Sequence, residues 1–91
     1  MKHTFSKPYQ FEGKTFTELD IDLDSISGAD ILLAKRRFVS SGGFAALLAA
    51  DPEFCIFLLE RVAKQPVEFF RGLPARDFCA LTQAVSNFLL S

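Results

Sequence analysis

The sequence predicts an α+β fold: an N-terminal β-hairpin followed by a small, mostly helical bundle of three main helices and one short helix. Three observations carry that prediction. Glu12-Gly13 stands between aromatic runs as a two-residue turn. Ser27 and Asp51-Pro52 are helix-start signals. From Phe78 onward, apolar residues recur at three- and four-residue steps. The chain has 91 residues and no linker or tandem repeat, so the expectation is one domain, with the hairpin in 1–23 and the helical part in 27–91.

Taken in order, Tyr9, Phe11 and Phe16 are strand aromatics, and the Glu12-Gly13 turn sets Phe11 across from Lys14 and Tyr9 across from Phe16. Pro8 then belongs on an unpaired edge or near the strand start. Leu19, Ile21 and Leu23 alternate with Asp20, Asp22 and Asp24, in parity opposite to Phe16. Either a bulge intervenes, or the strand ends and the chain turns over the core. Ser27, with Asp30 three residues on, is a capping box that starts a helix over Gly28–Ser40. Ile31, Leu32, Ala34, Phe38 and Val39 are its expected apolar side. Ser40-Ser41-Gly42-Gly43 ends it, and 44–50 reads either as a short helix or as an irregular segment.

Asp51-Pro52-Glu53 opens the next helix, which runs to about Lys64. Phe54, Phe57, Leu58 and Val62 form one stripe; Ile56, Leu59 and Ala63 form a second. A surface helix needs one apolar face, so this helix is central or touches another molecule. Gln65-Pro66 breaks it. Val67–Arg71 gives a short helix on which Phe69 and Phe70 diverge by about 100°, and Gly72 caps it. The last helix follows Pro74, has Asp77 in its first turn, and buries Phe78, Leu81, Val85 and Phe88. Ile56, Leu59, Phe69 and Phe70 are the expected partner-binding residues, walling a groove between the second main helix and the last.

Composition narrows the function. The apolar fraction is 49%, with eleven Phe. That surplus either fills a Phe-rich core or faces a partner, which includes another copy of this chain. Formal net charge is −1, and the densest basic run is Lys35-Arg36-Arg37. That is too short for a phosphate track, so no nucleic acid is expected, and these side chains read as a solvated helix face. No apolar run reaches the roughly eighteen residues of a membrane span, and the N-terminus lacks a signal-peptide core. The expectation is a cytoplasmic protein with no membrane partner.

Catalytic chemistry has no anchor. Asp20, Asp22 and Asp24 imitate the start of a calcium loop, but Ser25 and Ile31 occupy the positions that need Gly and Glu. Cys55 and Cys79 lie in apolar helical patterns and read as buried thiols. His3 has no neighbour in sequence to make it a ligand or a base. No catalytic residue, metal or cofactor is expected.

Leu73-Pro-Ala-Arg-Asp-Phe, Leu81-Thr-Gln-Ala-Val and Asn87-Phe-Leu, with Lys7-Pro-Tyr-Gln-Phe-Glu-Gly-Lys-Thr-Phe-Thr-Glu-Leu-Asp-Ile-Asp-Leu and Ser27-Gly-Ala-Asp-Ile, form an ordered set spanning residues 7–90. The set resembles the small phage tail assembly chaperones of contractile-tailed bacteriophages and prophages. The resemblance implies a non-enzymatic factor in the host cytoplasm, absent from the mature virion. Its implied partners are the tape measure protein and the tail tube protein. The competing readings are a small tail-tube or baseplate component retained in the virion, and a prophage-encoded regulator. A holdase for helical clients needs an apolar surface that an amphipathic helix can fill.

Overall fold

The computed structural model describes all of residues 1–91. Strands β1 (Lys2–Phe11) and β2 (Lys14–Asp20) form an antiparallel hairpin. Glu12 and Gly13 both have positive φ, 50° and 79°, the pair of left-handed conformations that a tight hairpin turn takes. The pairs Phe11–Lys14 and Tyr9–Phe16 stand in the expected register.

The parity conflict is resolved on both strands. Thr4 pairs with Glu18 and Tyr9 with Phe16, so Phe5 to Pro8 stand opposite Thr17 alone. Pro8, which has no N–H to give, lies in this bulged stretch. Strand β2 ends at Asp20. Ile21, 1% exposed, enters the core, and a 3-10 turn at Leu23–Ser25 leads onward. Asp20, Asp22 and Asp24 remain exposed.

Helix α1 (Gly28–Ser40) starts with the expected capping box: Ser27 Oγ accepts from the Asp30 N–H, and the Ser27 N–H donates to Asp30 Oδ2 at 2.9 Å. Arg61 Nε also donates to Asp30, at 2.9 Å. The Ser27 N–H first, then Arg61, hold the Asp30 carboxyl below the usual carboxylate range. After α1 the chain is irregular until a 3-10 turn at Leu48–Ala50, which settles the form of 44–50.

Helix α2 (Pro52–Ala63) has Asp51 as its N-cap, accepting from the N–H groups of Glu53 and Phe54 at 2.9 and 3.2 Å. Every residue from Phe54 to Leu59 is buried. Both apolar stripes are therefore used inside the monomer: α1 packs on one side of α2, and α3 (Val67–Arg71) and α4 (Ala75–Leu90) on others. Helix α2 is the central element.

Phe69 is where the hairpin meets the helices. It is fully buried, and the rings of Phe5, Tyr9, Phe11 and Phe16 from the hairpin surround it, with centroids at 6.3, 5.1, 5.2 and 5.0 Å. Phe70 lies 5.1 Å away in an edge-to-face arrangement. An isolated two-stranded hairpin is marginal in water; these rings give it a surface to dock on. Tyr9 Oη donates to the Phe69 carbonyl at 2.8 Å, and burial raises the Tyr9 pKa. A Cβ on Gly72 would stand 2.6 Å from that hydroxyl. Gly72 has an ordinary negative φ, −85°, so close approach, not a left-handed cap, explains the glycine.

Three sequence expectations change. Phe88 is 36% exposed, because the last turns of α4 direct Leu89, not Phe88, onto the core. Leu32 and Val39 are 58% and 56% exposed, because α1 meets α2 through Ala34 and Phe38 on its opposite side. Cys79 is exposed, while Cys55 is buried. Asp77 stands in the first turn of α4 as expected, and is 1% exposed. The accessible surface, 5485 Å², is close to the roughly 5,300 Å² that chain mass predicts.

Candidate functional site

Ile56, Leu59, Phe69 and Phe70, nominated by sequence as groove residues, are each at most 2% exposed. The groove they were expected to wall is filled: the hairpin covers Phe69, and α2 is wrapped by its neighbours. Ile56 alone borders a surface hollow, shared with Pro52, Glu53, Arg71, Leu73, Ala75 and Phe78. The apolar surplus that sequence allowed for a partner is therefore mostly spent on the core.

What remains exposed lies elsewhere. Leu32 and Val39 sit seven residues apart on the outer face of α1, with Lys35 and Arg36 between them; these four and Ser40 line one shallow concavity. Phe44 is 90% exposed on the irregular segment, and Leu47 is exposed beside it in sequence. Phe88 and Leu90 are exposed at the end of α4. Sequence reasoning assigned Leu32 and Val39 to the core because a periodicity shows that a helix has an apolar side without showing how wide the buried arc is. Lys35 and Arg36, at the angular positions flanking them on either side, were the available signal that this arc faces water.

The cations of α1 divide by environment. Arg37 pairs with Glu60 of α2 and lies 5.1 Å from the centre of the Phe57 ring, with Arg71 at 5.8 Å on the same ring. Lys35 and Arg36 have no carboxylate partner within 4.0 Å; the ion pairs of the chain are made by other residues.

One polar cluster is buried, and sequence reasoning missed it because its members lie more than 70 positions apart. Asp77 Oδ1 accepts from the Ser6 N–H at 3.0 Å and lies 2.9 Å from His3 Nε2; Ser6 Oγ donates to Asp77 Oδ2 at 2.8 Å. A carboxylate only accepts, so His3 Nε2 carries the hydrogen. Burial pushes the Asp77 pKa up most strongly, but the bonds from His3 and Ser6 and the His3 charge together outweigh it, and the net shift is downward. The residue types match a hydrolytic triad, but the order does not. Ser6 Oγ is bound to the carboxylate, not to the imidazole, so no base faces a nucleophile. The cluster ties β1 to α4.

No group of three or more His, Cys, Asp or Glu is placed to hold a metal ion, and no helix is long and apolar enough to cross a membrane. The geometry is a closed core with separate apolar side chains on its surface.

Residues 2–90 match the family model described as phage tail assembly chaperone proteins, E, or 41 or 14. The chain belongs to that family. Neither the curated proteins nor the solved structures gave a match. The tail assembly chaperone family is named for an assembly role and not for a reaction. Its match covers hairpin and helices alike, so the family signature extends over both docked parts.

Proposed function

We propose that this tail assembly chaperone binds the tape measure protein in the host cytoplasm, keeps its long helices from aggregating, and assists tail tube assembly around it without entering the finished virion. The observation that carries the reading is the family match over residues 2–90. Exposed Leu32, Val39, Phe44 and Leu47 support it, since a holdase needs apolar side chains in reach of its client. The role is binding, with no bond made or broken. Within this reading Ile56, which is 2% exposed and borders the hollow shared with Leu73 and Phe78, shapes the surface at that hollow. Leu59, Phe69 and Phe70 serve by holding the surface from beneath.

Co-expression with the tape measure protein tests this. The expected result is soluble tape measure protein that co-purifies with the chaperone, against insoluble protein without it. Mass spectrometry of purified virions should lack this chain. Its stoichiometric presence there would make it a structural component instead.

A further inference from the structure

We infer that the outer face of α1 docks an amphipathic helix of a protein partner whose apolar ridge is edged by carboxylates. Identifying that helix with the tape measure protein rests on the reading above; the surface and its charge preference do not.

The argument begins with the helix itself. Leu32 and Val39 lie within about 20° of each other around α1, and Lys35 and Arg36 flank them on either side. Ala34 and Phe38, on the opposite side, seat the helix on α2. The concavity over this face has two apolar side chains, two cations and a serine hydroxyl, and no carboxylate. Lys35 and Arg36 have no ion-pair partner within the chain. A ligand that buries Leu32 and Val39 brings its flanking side chains against those two cations, so acidic flanks are attracted and basic ones repelled.

A second copy of this chain does not supply such a helix. Pairing α1 with α1 sets Lys35 and Arg36 against their equals. Helix α2 is buried from Phe54 to Leu59, and the one carboxylate of α4, Asp77, is buried and engaged with His3 and Ser6. Helix α3 has five residues. No helix of the chain therefore presents an apolar ridge with acidic edges. Nucleic acid is disfavoured by the two apolar side chains at the centre of the face and by a net charge of −1.

The test uses the full chain and two synthetic amphipathic peptides with the same leucine spacing, one edged with Glu and one with Lys. Binding is followed by fluorescence anisotropy of labelled peptide over a salt series, and thermal melting is run on every variant. The Glu-edged peptide should bind, and more weakly as salt rises. The double reversal Lys35→Glu with Arg36→Glu, and separately Val39→Ser, should each weaken it about tenfold or more with the melting temperature unchanged. Failure of the Glu-edged peptide to bind, equal binding of the Lys-edged peptide, or unchanged binding by the charge-reversed variant would each overturn the inference. So would self-association in sedimentation experiments that Val39→Ser abolishes. Tape measure capture separates this from the chaperone reading. Capture retained by the charge-reversed variant removes the α1 surface and leaves the chaperone. Peptide binding with no tape measure capture supports the surface and removes that client.

Discussion

Asp77 is a buried carboxylate that pins the hairpin to the last helix. It is acceptor to His3, to Ser6 Oγ and to the Ser6 N–H, and its pKa is lowered in the fold. A carboxyl with a depressed folded pKa gives its full stabilisation above the unfolded value and loses it as pH falls through the folded one. Stability should thus drop on acidification from about pH 4 downward. Asp77→Asn should cost about 1.5–3 kcal/mol at neutral pH and make that acid loss shallower, as read from urea unfolding at several pH values. Asp30 titrates in the same direction, so the informative quantity is the difference between wild type and Asp77→Asn. The two thiols make a second contrast. Burial, then the Asp51 charge, pushes the Cys55 thiol up to about 11, while Cys79 is exposed. Iodoacetamide followed by peptide mass spectrometry should modify Cys79 in the native protein and Cys55 only after unfolding.

At the scale of elements, α1 and the hairpin make opposite predictions. Leu32→Ser and Val39→Ser remove exposed side chains and should change stability by no more than about 0.5 kcal/mol. Phe69→Ala removes the ring that four hairpin aromatics enclose and should cost about 3–5 kcal/mol. A domain of this size holds only about 5–10 kcal/mol, so that variant should lose about half of its stability and melt well below the wild type, as followed by circular dichroism. On α4, Leu81→Ala should cost about 2–5 kcal/mol, and Phe88→Ala clearly less, since a ring that is 36% exposed leaves a smaller cavity. Chemical denaturation of the two variants side by side checks the order.

For the whole molecule, the question is whether the hairpin and helices unfold together. Tyr9, the single Tyr in a chain without Trp, reports the hairpin by fluorescence, while far-ultraviolet circular dichroism is dominated by the helices. Docking through Phe69 and Asp77 makes each part a condition of the other, so the two signals should give one coincident transition. An early loss of the Tyr9 signal would mean that the hairpin undocks before the helices melt. The same docking closes the chain over its most apolar residues.

The sequence by itself determined the elements and the family. Glu12-Gly13, the Ser27–Asp30 box and Asp51-Pro52 act through hydrogen bonds and backbone preferences within a few residues, so their effects are legible where they stand. The ordered motifs from Lys7 to Leu90 likewise carried the chaperone resemblance that the match over residues 2–90 agrees with. Only the tertiary structure decided which apolar faces are closed. Phe69 and Phe70 diverge on a short helix, and nothing local reveals that four rings some sixty positions earlier enclose the first of them. Asp77 is the first-turn acid it was read as, but its burial was not legible, because its partners, His3 and Ser6, arrive from the other end of the chain. Burial is a property of what packs against a face. Ile56, Leu59, Phe69 and Phe70 were therefore readable as apolar but not as core, and Leu32 and Val39 as apolar but not as surface.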